Sequence, residues 1–192
     1  MKKFELTTEF ITNAFGKKLF RIKALVEFGD VKAGELGGYV EKEENVSQDG
    51  NAWVSGDARV YGNAWVHGNA KVYDDAWVSD NAKVFDNAEV YGNARVSGDA
   101  RVSGNARVSG NAWVYGDADY ALVQGFGTEF RCTTFYRGKN KKIMVNCGCF
   151  HGDLEGFRKQ VKETRNGKIA KEYLMIADLM EYHFTSEDSS DE

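Results

Sequence analysis

The amino-acid sequence predicts a β-solenoid, and three observations predict it. Residues 51–116 are one six-residue phrase written eleven times without an insertion, beginning NAWVSG, DARVYG, NAWVHG. Ala and Val stand two apart in every copy, and Gly, Asn and Asp fill two of the three positions that separate successive Ala-x-Val segments. Proline is absent from all 192 residues, so every repeat can donate its backbone hydrogen bonds. A short fixed period is typical of stacked coils, each of which buries its apolar side only against its neighbours.

Each hexad has an inner face, an outer face and a corner. Side chains alternate between the two faces of a strand, so Ala and Val point inward and the Trp, Arg, Lys or Glu between them points outward. The corner holds Gly, Asn or Asp, which tolerate a positive φ at the lowest cost. At three successive corners Asp74, Asp80 and Asp86 replace Gly. We expect these aspartates to adopt the glycine geometry, at corners too far apart to share one cation.

The flanking segments predict a hairpin at the start of the chain and a hairpin with two helices at its end. Apolar and polar residues alternate over 4–9 and 18–25 around Gly16, and Gln48 stands where Val belongs in the irregular hexad 45–50. Near the end, 133–137 and 142–150 flank a turn at 138–141. Two helices follow: one is capped by Asp153 or a neighbour and runs to about 164, and the other spans about 170 to 183. The predicted regions are an N-terminal β cap (1–38), the hexapeptide-repeat solenoid (39–122), a C-terminal hairpin with two helices (123–184) and an acidic disordered tail (185–192).

The whole chain except the acidic tail resembles a known group of proteins. The segments LFRIKAL, GELGGYVEKEENVSQDGNAWV, MVNCGCF and VKETRNGKIAKEYL, together with the NAxV hexads, resemble small hexapeptide-repeat proteins of phages and prophages of Gram-positive bacteria. The chain is also similar to the YdcK-like branch of the trimeric hexapeptide superfamily. The resemblance implies a single-stranded left-handed β-helix in which three hexads make one triangular coil, and a homotrimer.

Three hexads per coil would stack outward residues eighteen apart into columns, with strands about 4.8 Å apart. The first column is Arg59, Trp77, Arg95 and Trp113; the second is Trp53, Lys71, Glu89 and Arg107; the third is Trp65, Lys83, Arg101 and Asp119. Large aromatic side chains on outward positions need a cover, either a terminal segment or another subunit. We therefore predict a homo-oligomer whose interface or binding surface includes Trp53, Arg59, Trp65, Trp77, Arg95 and Trp113.

Composition and charge exclude several classes of function. The chain has a formal net charge of −4, no long apolar run and no signal peptide behind its first residues, so neither a membrane nor nucleic acid is the expected partner. Three cysteines, an odd number, indicate reduced thiols in the cytoplasm. Stacking of bases on the first column is the nucleic-acid alternative, but the corner aspartates offset its charge.

Catalysis has one weak candidate in the repeat, His67. Proteins of this superfamily are often labelled acyltransferases on the basis of their fold, and such enzymes use a His as general base with acyl-CoA as donor. His67 instead occupies the corner slot that holds Ser55, Tyr61, Tyr73 and Phe85 in other hexads, and no loop interrupts 51–116. The carbonic anhydrase branch of the same fold needs three histidines at its zinc, and the repeat has one. We predict a non-catalytic chain without a cofactor.

A metal site is the remaining chemical candidate. The predicted C-terminal hairpin would set Cys132 opposite Cys147, with Cys149 and His151 continuing on the same face. Tetrahedral zinc accepts Cys and His, but the spacing C-x-C-x-H is not a known zinc motif. Core packing of the thiols and a redox pair are the alternatives. The function predicted overall is a scaffold or binding protein that acts through oligomerisation and contact with a phage or host protein.

Overall fold

The chain forms two compact units, Met1–Asp117 and Ala118–Glu192, in a computed structural model. The structure describes residues 2–116, 119–128, 131–138 and 141–185. The predicted acidic tail lies outside the described residues, apart from Thr185.

The first unit is a β-solenoid preceded by three longer strands. Strands β1, β2 and β3 and one short 3-10 helix come first: Phe4–Thr12, Lys18–Ala24, Leu36–Val40 and Glu43–Asn45. Eleven two-residue strands follow, one per hexad, numbered β4 to β14: Trp53–Val54, Arg59–Val60, Trp65–Val66, Lys71–Val72, Trp77–Val78, Lys83–Val84, Glu89–Val90, Arg95–Val96, Arg101–Val102, Arg107–Val108 and Trp113–Val114.

Each coil of the solenoid contains eighteen residues. Parallel strands pair at that spacing, as in Arg59 with Trp77 and Val60 with Val78. The strand orders are β1-β2-β3-β5-β8-β11-β14, β4-β7-β10-β13 and β6-β9-β12, which gives the solenoid three faces. Between coils the backbone N–H of Arg59 donates to the carbonyl of Ala76 at 2.9 Å. The Ala and Val side chains of all eleven hexads are buried, which confirms the predicted inner face.

The corners adopt the left-handed backbone region at the Gly or Asp slot. The φ angles of Asp74, Asp80 and Asp86 are 59°, 59° and 58°, close to the 64° of Gly56 and the 73° of Gly62. The carboxylates of the three aspartates also accept hydrogen bonds from the backbone N–H groups one coil later, those of Gly92, Gly98 and Gly104 at 3.2, 3.2 and 3.1 Å. The aspartates therefore serve the corner geometry, as the sequence predicts.

Side chains that precede the first complete coil donate hydrogen bonds to the backbone carbonyl groups of that coil. The Lys3 ammonium donates to the carbonyls of Gly50 at 3.3 Å and Ala52 at 2.9 Å, and burial lowers the pKa of Lys3 to about 8. The Asn45 amide donates to two further carbonyls, those of Gly62 at 3.2 Å and Ala64 at 2.8 Å. These donors replace the backbone N–H groups that a preceding coil would supply, and a buried carbonyl without a donor would be costly.

The irregular hexad has a role in this contact between the first strand and the coil. The side-chain Oε1 of Gln48 accepts hydrogen bonds from the backbone N–H of Lys3 at 2.7 Å and of Phe4 at 3.2 Å. Its Nε2 donates to the carbonyl of Phe4 at 3.2 Å. A Val side chain at position 48 could form none of these three hydrogen bonds. The departure from the repeat at Gln48 therefore has a structural role.

The second unit is a four-stranded antiparallel sheet with two helices. Its strands, in the order β15-β16-β17-β18, are Tyr120–Phe126, Arg131–Arg137, Ile143–Cys147 and Phe150–Asp153. The helices α1 and α2 are Leu154–Thr164 and Gly167–Thr185. The two helices pack on a core that includes Phe135, Val145, Phe157, Tyr173 and Ala177.

One helix start agrees with the prediction from the sequence and the other does not. The Asp153 carboxylate accepts a hydrogen bond from the backbone N–H of Gly156 at 2.9 Å, which confirms the predicted N-cap of α1. Helix α2 begins three residues before the predicted start, and Met180 is buried while Leu179 is 58% exposed. The Arg158 guanidinium joins the helices through Asp178 at 2.8 Å and Glu181 at 2.7 Å.

Asp119, the last residue of the third predicted column, belongs to the second unit, where its carboxylate lies 3.0 Å from Nε of Arg137. Tyr120, which stands at a Val position by sequence phase, begins β15 and pairs with Tyr136 in an antiparallel sheet. The six-residue spacing of residue types continues in the sequence after β14. The strand pairing nevertheless changes there, from the parallel pairing of the coils to the antiparallel pairing of β15 with β16.

The membrane question has a limited structural answer. Within the described ranges, neither α1 nor α2 combines the length and the apolar character that crossing a bilayer requires.

The corner geometry predicts opposite results for two substitutions at one position. Asp80→Val places a β-branched side chain at a φ of 59° and removes the bond to Gly98, so the free energy of unfolding should fall by about 2 kcal/mol or more. Asp80→Gly loses the same bond but relieves the backbone, and should stay within about 1 kcal/mol of the unmodified chain. Urea unfolding followed by circular dichroism measures both. Equal losses of unfolding free energy in the two variants would contradict the claim that the positive φ at position 80 disfavours a β-branched residue.

Candidate binding surface

The most distinctive outer face of the solenoid is an alternating row of arginine and tryptophan, here named the Arg/Trp ladder: Arg59, Trp77, Arg95 and Trp113. Strands β5, β8, β11 and β14 position these side chains on successive coils, in the register that the sequence predicts. The guanidinium of Arg95 lies 4.6 Å from the ring centre of Trp77 and 5.5 Å from that of Trp113. Arg59 lies 5.1 Å from Trp77. Each distance is within the range of a cation–π contact.

The ladder continues into the N-terminal strands, a part of the site that the sequence analysis missed. Tyr39 on β3 pairs with Arg59 in parallel register, and the Arg21 guanidinium lies 5.1 Å from the Tyr39 ring. Arg21 also donates to the Tyr39 hydroxyl at 2.7 Å and to Glu9 at 3.3 Å. Tyr39 and Arg59 are twenty residues apart rather than eighteen, so an extension of the repeat period backward does not find this pair.

The geometry determines what the ladder can bind. Arg59 and Arg95 lie over the ring of Trp77, so an incoming base would have to displace a guanidinium before it could stack there. Trp77 is half-buried and Arg95 is exposed. The surface therefore presents indole edges and guanidinium groups in fixed positions, which suits contact with another protein surface more than the stacking of bases.

Trp53, which was predicted at a binding surface, is packed inside the first unit instead. It is 4% exposed, and the rings of Phe4 and Phe28 contact it edge-on at 6.2 and 5.4 Å between ring centres. The N-terminal segment thus supplies the cover that this outward aromatic needs. The rest of its column is polar: Lys71 pairs with Asp30 at 2.8 Å.

Trp65 and His67 form an aromatic stack on the third face. Trp65 is 40% exposed, and its ring centre lies 3.8 Å from that of His67, which in turn stacks on Phe85 at 5.0 Å. Tyr73 and Tyr91 occupy the equivalent slot at another corner and stack at 4.9 Å. Stacking between rings one coil apart is therefore a property of the position that follows Val in each hexad. His67 takes part in this stacking as an aromatic ring.

Burial has the largest effect on the pKa of His67 and favours the neutral form of its ring. Burial lowers the pKa of His67 below its usual value of 6.5; Asp86 acts against this shift and Lys83 adds to it. A neutral imidazole is the form that a general base requires. Both faces of the ring are nevertheless covered, by Trp65 and Phe85.

The four predicted metal ligands are not brought together, because the hairpin has a different register. Cys147 lies opposite Thr133, whose hydroxyl donates to the Cys147 sulfur at 3.1 Å, and so the neighbouring Cys132 points to the other face of the sheet. His151 lies opposite Asn146, with its Nδ1 2.5 Å from the Asn146 amide oxygen. Cys147 instead packs against the apolar core. Within the described part of the chain, no group of three or more His, Cys, Asp or Glu side chains could hold a metal ion.

The lowered pKa of His67 predicts a contribution to stability that depends on pH. Between the folded and unfolded pKa values the folded chain binds fewer protons, so the contribution is present above pH 6.5 and lost as the pH falls through the folded pKa. His67→Phe keeps a ring in the stack and removes the titrating group, so the variant should lose less stability on acidification. Urea unfolding of both proteins at a series of pH values from neutral to about 5 tests this. An acid loss in His67→Phe equal to that of the unmodified chain would contradict the prediction.

Part of the solenoid is similar to a known repeat family. The family model described as the YdcK beta solenoid repeat matches residues 52–68, 82–102 and 100–116. No curated protein matches the sequence of this chain. The matched stretches lie inside the run of hexads whose strands pair coil on coil. The chain is therefore a β-solenoid repeat protein.

Proposed function

We propose that this chain is a non-catalytic scaffold that self-associates through the Arg/Trp ladder and binds further protein partners through its remaining faces. The observation that carries the proposal is the ladder itself, in which Arg59, Trp77 and Arg95 hold one another on a sheet face. Trp, Tyr and Arg are the residue types that dominate the energy of protein interfaces. The ladder, with Tyr39 as a further member, consists of these three types alone.

Pre-organisation supports this role. Ordering a long side chain on binding costs about 0.5–1.5 kcal/mol, and cation–π contacts already restrict Arg59 and Arg95 in the free chain. The strands below these side chains are tied by backbone hydrogen bonds on both sides of Trp77. A partner that contacts this face therefore meets a surface whose ordering cost is small.

Charge favours a ring of copies over a two-fold dimer. A two-fold interface sets the same patch against itself, which would gather the Arg59 and Arg95 side chains of both copies in one interface. A ring sets the ladder against a different surface of the next copy, and exposed aspartates such as Asp75, Asp80 and Asp99 lie at the corners of every copy. A closed trimer of left-handed coils, which the resemblance to hexapeptide-repeat proteins implies, meets this requirement.

The biological setting in this proposal rests on the resemblance alone. The flanking segments that resemble phage and prophage proteins support a phage or prophage origin and action in the host cytoplasm. A phage or host protein would then be the further partner.

Acyl transfer with His67 as base and acyl-CoA as donor is the competing enzymatic function, and binding of single-stranded nucleic acid is the competing recognition function. The lowered pKa of His67 suits the first, but no loop interrupts residues 51–116 to close over an acyl donor. Trp77, between two guanidinium groups, argues against the second.

Self-association can be tested by mass measurement on variants of two faces. Multi-angle light scattering should give three times the chain mass of 21.4 kDa for the unmodified protein. Trp77→Ala should raise the concentration at which half the assembly dissociates by about tenfold or more, because loss of a central interface aromatic typically costs about 2 kcal/mol. Arg95→Glu should act in the same direction.

Lys83→Ala, on the third face, is the matched control and should leave the assembly intact. Circular dichroism melting of each variant separates loss of assembly from loss of fold. A stable monomer at micromolar concentration in the unmodified protein, or equal loss of assembly in Lys83→Ala, would overturn the proposal.

A further inference from the structure

A cavity of about 450 Å³ lies in the first unit, between the loop that joins β2 to β3 and the second face of the solenoid. Its wall includes Asp30 and Glu35, and its floor is built from three successive coils. The volume is within the range of about 300–1,000 Å³ that is common for small-molecule sites. The cavity is separate from the Arg/Trp ladder, which occupies another face.

One side of the floor is a row of asparagine amides. The Asn51 amide nitrogen donates to the side-chain oxygen of Asn69 at 3.0 Å, and Asn69 donates in the same way to Asn87 at 3.1 Å. An amide has two N–H donors and two lone pairs, and these bonds use one donor and one lone pair on Asn69. Each asparagine of the row, here called a rung, therefore keeps one free N–H donor beside one free acceptor lone pair. This pair of groups is repeated at the coil spacing of about 4.8 Å.

Trp53 is a buried member of the same lining, and its hydrogen-bonding capacity is not met. The side chain is 4% exposed, and its indole Nε1 has no hydrogen-bond partner among the described residues. The Nε1 atom is itself buried, so Trp53 contributes ring surface rather than an N–H donor to the cavity.

The other polar groups of the cavity lining also include both hydrogen-bond donors and acceptors. The Tyr73 hydroxyl donates to the Glu89 carboxylate at 3.3 Å, which leaves the hydroxyl oxygen able to accept. Lys71 reaches across the cavity to Asp30 at 2.8 Å. The lining contains three carboxylates, those of Asp30, Glu35 and Glu89, against the single ammonium of Lys71, and this balance disfavours an anionic ligand.

We infer that this cavity binds a neutral polyhydroxyl ligand of the size of a sugar. Each hydroxyl group donates and accepts at once, which matches rungs that offer a donor beside an acceptor. An uncharged ligand leaves the Lys71–Asp30 pair intact. The inference does not depend on the proposed self-association.

The test is saturation-transfer NMR on the full chain with uncharged probes, namely glucose, galactose, N-acetylglucosamine and mannitol, alongside the charged probes glucosamine and glucuronate. At least one uncharged probe should receive saturation and compete with the others for one site. Asn69→Ala removes the middle rung and should weaken binding of that probe by about tenfold, since it loses both a ligand contact and the alignment of its neighbours.

Asn81→Ala is the matched control. Asn81 is the middle rung of an equivalent row at another corner, between Asn63 at 3.1 Å and Asp99 at 3.0 Å, and is not part of the cavity lining. The Asn81→Ala variant should bind the probe as the unmodified chain does. Its thermal stability should change by the same amount as that of Asn69→Ala. Three results would overturn the inference: no saturation of any uncharged probe, binding of the charged probes only, or equal weakening in Asn69→Ala and Asn81→Ala.

Discussion

The structure of the first unit depends on one constraint, the parallel hydrogen-bond register between coils of eighteen residues. Because the N–H of Arg59 meets the carbonyl of Ala76, and every later hexad repeats this relation, each side chain stands directly above one from the equivalent slot. The alternation of a strand then sends Ala and Val inward on every coil. One residue more in a coil would exchange the inner and outer faces of all that follows. The corners protect the register, since only residues that accept a positive φ can close the coil in the space available.

Stacking of equivalent slots turns the outer surface into rows with chemical consequences. A row of identical charges would repel itself at a spacing of about 4.8 Å. Along the Arg/Trp ladder each arginine is instead followed by an aromatic residue, so that repulsion is replaced by attraction. Asparagine rows behave differently, because an amide can bond its own copy above and below. The solenoid thus presents one face suited to protein contact and one suited to hydroxyl groups, on the same backbone.

The N-terminal segment has two structural roles, one at the first coil and one on the second face. Lys3 and Asn45 supply donors to the first coil, and Gln48 binds the start of β1. Phe4 and Phe28 cover Trp53, and the loop that follows Phe28 forms the wall of the cavity. The covering of one outward tryptophan and the candidate sugar site are therefore consequences of the same packing.

The sequence by itself determined the solenoid, its inner face, the corner role of Asp80 and the order of Arg59, Trp77 and Arg95 in one row. A repeat makes this possible because the environment of one hexad is the environment of the next, so a local pattern carries long-range information. Only the tertiary structure decided the pairings outside the repeat. Tyr39 joins the ladder at an offset of twenty residues, and Cys147 faces Thr133 rather than Cys132. No period links those residues, so their register depends on packing between segments that are distant in the sequence.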